Sequence, residues 1–242
     1  MDKYVKSQHY LHELFGEIAV KELSTATRVT ARWKSYDLLA ITVPKRLKMS
    51  EFLSILEKMT PRLLVKRPEK QFFTVGWKYE TPEMDFEVVL GNKENVLEGH
   101  VDRVNQKITL FYPPDLDSAG NPDFNDWVNK TLDKYARTHA AKFLLPEAHD
   151  VASKLNIKPK SFDISHGQKV LGRCNSRGEI LLSRNLIYYP IELRRFVIAH
   201  ELAHLTHMNH SKNFYELLNT YVDGKQVQLD MRLKHHKLPF LK

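Results

Sequence analysis

Cysteine occurs once in the 242 residues, at Cys174, so no internal disulfide can form and a disulfide-stapled scaffold is excluded. The usage fits a reducing compartment, and a cytoplasmic location is expected. Glycine is sparse, with nine residues, and there is neither a Gly-rich loop of the phosphate-cradling kind nor an internal repeat. No apolar run approaches the roughly 18 residues that a membrane span needs. The first ten residues, MDKYVKSQHY, have no apolar core behind their charges, so neither a span nor a secretory signal is expected.

Apolar side chains are plentiful, at 42% of the sequence, which is enough for a sizeable core. Lys and Arg outnumber Asp and Glu by 37 to 29, a net charge of +8 that makes nucleic acid a candidate partner without requiring one.

The spacing of Leu11, Leu14, Phe15, Ile18 and Leu23 predicts a short helix over residues 8 to 23, with His9, His12 and Glu13 on its surface. From Thr25 to Pro114 strand signals dominate: Arg28 to Trp33, Leu38 to Val43, Phe72 to Tyr79, Phe86 to Leu90 and Ile108 to Tyr112. A helix from Ser50 to Met59, ended by Pro61, interrupts them. Arg32, Trp33, Lys34, Lys66, Arg67, Phe72, Phe73, Trp77 and Lys78 could form a nucleic-acid face, but such alternation more often marks strands with one side in the core.

The polar stretch Asp115 to Pro122 predicts a boundary, with domains at 1–118 and 119–242. Beyond it, Asn121 should cap a helix that opens at Pro122 and runs to Leu144. Pro146 should break it before a shorter helix to Leu155. Three short strands follow, at Ser161 to His166, Lys169 to Cys174 and Glu179 to Ser183, the last two joined by an Asn175–Gly178 turn. His139 and His149 have no ligand partner at useful spacing. Ser211 should cap a helix ending before Gly224; after it a basic tail, open to helix or strand, carries His235 and His236 exposed.

The chemistry concentrates between Phe196 and His210, FVIAHELAHLTHMNH. His200 and His204 are four apart, so on a helix both rings reach one ion, with Glu201 beside them. Phe196, Val197, Ile198, Ala199, Leu202, Ala203 and Leu205 make that helix apolar nearly all round, hence buried. His207 shares the histidine face but lies about 10 Å from His200 along the axis, too far for a common ion. A helix that stops near Met208, with Asn209 in a left-handed cap, would bring His210 to the metal; Glu216 is the reserve ligand. Three neutral imidazoles on Zn2+ leave a position for water, which Glu201 would deprotonate as it attacks a carbonyl. Cys174 reads as a small buried residue rather than a ligand.

At Gly172-Arg173-Cys174-Asn175-Ser176-Arg177-Gly178, Ile180-Leu181-Leu182, Pro190 and HELAHLTHMNHS the sequence resembles the YgjP-like metallopeptidases, zincins related to the SprT-like and Wss-type proteases. The resemblance is close over residues 123 to 224 and implies that His200, His204 and His210 bind zinc, with Glu201 as the catalytic acid and base. It implies a protein or peptide substrate, and the SprT-like and Wss-type relatives act on proteins bound to DNA. Where the family tends to have Trp-Gly-Ser-Cys, this chain has Leu171-Gly172-Arg173-Cys174.

The fold expected is α+β: a strand-rich N-terminal part packed on a zincin-like core with a small mixed sheet and the HExxH helix. Substrate would pair with the edge of the 169–183 hairpin, and Arg173 and His166 are candidates for stabilising the oxyanion. Two other functions share these features. One is a metal-dependent hydrolase of nucleotides or other phosphoanhydrides; the other is a non-catalytic nucleic-acid-binding module with a structural metal.

Overall fold

Gly16 takes a left-handed backbone, φ 72°, and turns the chain between two strands, β1 (Gln8–His12) and β2 (Gly16–Leu23). The predicted helix over residues 8 to 23 is therefore a hairpin. Its covered side chains are Phe15, Ile18 and Val20, whereas Leu11 is 92% exposed, so burial follows the pleat and not a helical stripe. A Cβ at Gly16 would meet the Asp37 carbonyl oxygen at 2.8 Å.

The computed structural model describes residues 4–68, 72–118, 120–165 and 170–240. Met1–Gln71 form one compact unit and Phe72–Leu241 a second. The polar stretch 115–122, where the sequence predicts a domain boundary, lies inside the second unit.

In the first unit β3 (Thr30–Ser35) and β4 (Leu38–Pro44) complete a sheet of order β1-β2-β4-β3, in which β2 and β4 run parallel. Leu39, Ile41 and Val43 of β4 share a core with Phe52, Leu56 and Leu63 of helix α1 (Met49–Val65). That helix passes through Pro61 instead of ending before it. A proline inside a helix costs about 3 kcal/mol. Burial of Leu63, whose carbonyl also accepts the Trp33 indole N–H at 2.9 Å, offsets the cost.

The second unit opens with β5 (Lys78–Tyr79), β6 (Asp85–Leu90), β7 (Glu98–Asp102) and β8 (Lys107–Tyr112), in the order β5-β6-β8-β7 with β6 and β8 parallel. The predicted strand at Phe72 to Tyr79 contracts to its last two residues, because Gly76 turns the chain at φ 91°. β7 escapes the sequence because EGHVD, half-exposed or exposed throughout, has no apolar alternation. Both four-stranded sheets have the same connectivity, each with a helix next in the chain. The fold thus contains a topological repeat that no residue pattern discloses.

Helix α2 (Pro122–Lys154) starts as predicted, with the Asn121 side chain accepting from the Asp123 and Phe124 N–H groups at 2.9 and 3.0 Å. It then runs through Pro146 without a break. Phe124, Val128 and Leu132 pack with Phe86, Val88 and Leu110 of the sheet, while Ala140, Leu144, Ala148 and Val151 belong to the next core. Burial on both sides of Pro146 outweighs the bond it cannot make.

That core also holds β9 (Ser161–Ser165), β10 (Gly172–Cys174) and β11 (Glu179–Ser183), in the order β10-β11-β9, so β10 is an edge. The predicted end of the first of these strands, His166, and the predicted start of the second, Lys169, lie outside the described residues. A buried 3-10 turn, Arg184–Tyr188, leads through Pro190 into α3 (Ile191–Ala203). Then follow α4 (Lys212–Tyr221), capped by Ser211, and α5 (Gln226–His235), which resolves the tail as helix. His236 is not an exposed tail residue: its ring packs on Tyr189 at 4.5 Å and its Nε2 lies 3.0 Å from the Tyr79 hydroxyl. The architecture is α+β, and among the described residues no helix is long and apolar enough to cross a membrane.

Candidate metal centre

Helix α3 is buried through Leu193, Arg194, Phe196, Val197, Ile198, Ala199, Leu202 and Ala203. Its position is fixed by Arg194, 1% exposed, whose Nε donates to the Tyr189 carbonyl at 2.8 Å. The two terminal nitrogens of Arg194 donate to both Glu83 oxygens at 2.7 and 2.5 Å, and Glu147 lies at 3.4 Å. A buried guanidinium with this many acceptors ties the loop before β6 and the C-terminal third of α2 to the helix. None of these partners has a signal in the sequence.

The helix ends at Ala203, earlier than the expected Met208, with His204 as its C-cap. Tight turns follow, with the Thr206 and His207 N–H groups both donating to the Ala203 carbonyl at 3.1 and 3.0 Å. Asn209 is not among the described residues with positive φ, so this tightening, and not a left-handed cap, brings the chain round.

The outcome is that His200, His204 and His210 each present a ligand-type nitrogen, all within 4.8 Å of one another. The His200 and His210 Nε2 atoms are 3.0 Å apart. Two nitrogens bound tetrahedrally to one ion at about 2.0 to 2.1 Å stand about 3.4 Å apart, so this set fits a metal. His204 Nδ1 lies 3.0 Å from the His207 carbonyl, which can only accept, so the proton sits on Nδ1 and Nε2 is left bare. His207 thus contributes its backbone and not its ring. Glu216, the reserve ligand, is exposed and pairs with Lys212 on α4 at 3.5 Å. Phe214 of α4 backs all three rings, stacked on His204 at 4.6 Å and edge-on to His200 and His210 at 4.9 and 4.8 Å.

Electrostatics prepare these groups. Burial, with the neighbouring His204 and His210, pushes the His200 pKa down to about 4; burial also lowers His204. His200 is therefore neutral at pH 7, the form in which an imidazole can bind a metal. Burial pushes the Glu201 carboxyl up to about 7, against a hydrogen bond from the Cys174 backbone N–H. Burial and Glu201 both raise the Cys174 thiol, which stays protonated and outside the histidine cluster. Gly172 is the residue the spacing argument missed: its bare Cα faces Glu201 at the edge of β10.

These groups line a cleft of about 620 Å3 whose walls include Gly172, Arg173 and Cys174 of β10 and Asp230 and Leu233 of α5. Arg173 is exposed there; His166 lies outside the described residues. Two of the basic and aromatic residues of the N-terminal half are engaged within their own units. Arg67 lies over the Tyr36 ring at 3.9 Å and donates to backbone carbonyls, and Phe73 is fully buried against Trp77 at 4.7 Å.

Three converging imidazoles beside a buried carboxylate, on an α+β frame, form a group that could hold a metal ion. The YgjP-like metallopeptidase domain matches residues 27–236, most of the chain, and the protein belongs to this family. A search of curated proteins finds no match. The family makes it a metallopeptidase, with a divalent metal and a peptide or protein substrate.

Proposed function

We propose that the protein is a zinc peptidase in which His200, His204 and His210 hold the ion and Glu201 carries the proton. The observation that carries this reading is the convergence of the three rings within 4.8 Å next to a buried carboxylate. An all-imidazole set suits zinc. When bound, zinc supplies Lewis-acid chemistry, polarising the scissile carbonyl and acidifying water.

The rest is done by the chain. Glu201, with a pKa near neutrality and held by the Cys174 N–H, takes the proton of the attacking water and returns it to the leaving amine. β10, the edge strand of its sheet among the described residues, lies beside the site and offers backbone groups to an extended substrate, keeping the scissile bond over Glu201. The net charge of +8 favours targets associated with polyanions such as nucleic acid, and the lone thiol favours the cytoplasm. Phosphoanhydride hydrolysis is the weaker reading, since no glycine-rich cradle is present in the sequence.

Zinc-loaded wild type and Glu201→Gln should be assayed on casein, on a DNA-bound protein and on nucleoside triphosphates. The variant should keep its zinc and lose hydrolysis by a factor of about 100 to 10,000. Full turnover by Glu201→Gln, or cleavage of triphosphates alone, would refute the mechanism. Preference for free casein over the DNA-bound protein would remove the nucleic-acid element, and fractionation with exported proteins the cytoplasmic one.

A further inference from the structure

Beyond the His200–Glu201 pair the cleft continues as an apolar trough. Phe196 and Val197, one turn earlier on α3, form its floor, and Leu171 and Leu233 line it, from the segment entering β10 and from α5. Val170 lies at the rim, 54% exposed. Two charged side chains, Arg173 and Asp230, line the same cleft. Arg173 is exposed, and the Asp230 carboxylate already accepts from Lys234 Nζ at 2.5 Å.

One helical turn is about 5.4 Å, and consecutive residues of an extended peptide advance about 3.4 Å. The trough therefore starts within a residue or two of the peptide bond held at the metal set. We propose that it is a side-chain subsite next to the scissile bond, selecting peptides with a large apolar residue, such as Leu, Phe or Met, at that position. This rests on the peptidase reading above. A Leu or Phe leaving water there gains what its burial gives, about tenfold to a hundredfold in affinity over Gly. An Asp side chain placed among Phe196, Val197, Leu171 and Leu233 would lose hydration and find no hydrogen-bond donor on those side chains.

The test uses the zinc-loaded Glu201→Gln chain and fluorescent peptides of equal length that differ at one residue, Leu, Gly or Asp, with binding read by anisotropy. The Leu peptide should bind at least about tenfold tighter than the others, and Leu233→Asp should erase that preference. Because Leu233 also packs against the core, Val170→Asp, at an exposed position, serves as the second variant and should weaken the preference. Cleavage sites mapped with the wild type on the same peptides give an independent reading. Equal binding with cleavage at all three residues overturns the subsite and leaves the peptidase standing. Leu-selective binding with no wild-type cleavage supports the subsite and overturns the peptidase, and neither binding nor cleavage overturns both.

Discussion

Gly172 and Glu201 touch so closely that a Cβ built on the glycine would lie 2.5 Å from Glu201 Oε1 and 2.6 Å from its Cγ. The edge strand therefore has no side chain at that point because the carboxylate occupies the space. Two positions along, the Cys174 N–H holds the same carboxylate. Gly172→Ala must push Glu201 away from its place without altering any histidine. Hydrolysis should fall about 100-fold, the usual cost of misplacing a catalytic group by about 1 Å. Zinc content, measured by elemental analysis, should stay at the wild-type level. Unchanged turnover would show that Glu201 has another working position.

How much of this could be read from residues alone depends on the range of the interaction. The convergence of His200 and His204 follows from helical spacing, and His210 from the need of a chain to turn back after a buried helix, so both were legible. The means of turning was not: α3 stops at Ala203 with stacked tight turns, a choice set by packing. The Gly172–Glu201 contact joins residues with no common period. Arg194 and Glu83 are 111 positions apart, and their bond has no local trace. The β1–β2 hairpin has a helical spacing of apolar residues only because of Leu11 and Leu14, which are 92% and 50% exposed and take no part in the core.

The two later histidines should separate cleanly. His210→Ala removes one of three converging nitrogens and should weaken zinc binding by orders of magnitude. His207→Ala leaves the carbonyl that holds His204 and should bind zinc about as well as wild type. Competition with a chromophoric chelator reads both affinities. Equal losses in the two variants would require a different ligand set.

Phe214 touches all three rings but supplies no polar atom, so its effect should appear in metal affinity rather than in metal stoichiometry. Phe214→Leu keeps an apolar residue in the core yet frees the rings to tilt. Zinc affinity should drop by about 10- to 100-fold, the range usual for groups that orient ligands, with one ion still bound at saturation. Calorimetric titration gives both quantities. An unchanged affinity would mean that the helix and the following turn orient the rings unaided.

The acid limit of stability should be set in part by Asp133. Burial raises its carboxyl, but hydrogen bonds from Arg137 and Arg184, with their charges, outweigh this and leave it below the ordinary value. Arg184 is 1% exposed and its contact with Asp133 is 2.5 Å, so a protonated Asp133 would leave a buried cation poorly matched. A depressed folded-state pKa contributes stability that is fully present above the unfolded value of about 3.9 and is lost as pH falls toward the folded one. Asp133→Asn has no such proton to gain. It should be less stable than wild type at about pH 7, and the gap should narrow between about pH 5 and 3, where only the wild type loses this contribution. Denaturant unfolding at each pH measures the gap. A gap constant across that window would show that the Asp133–Arg184 pair does not govern acid sensitivity.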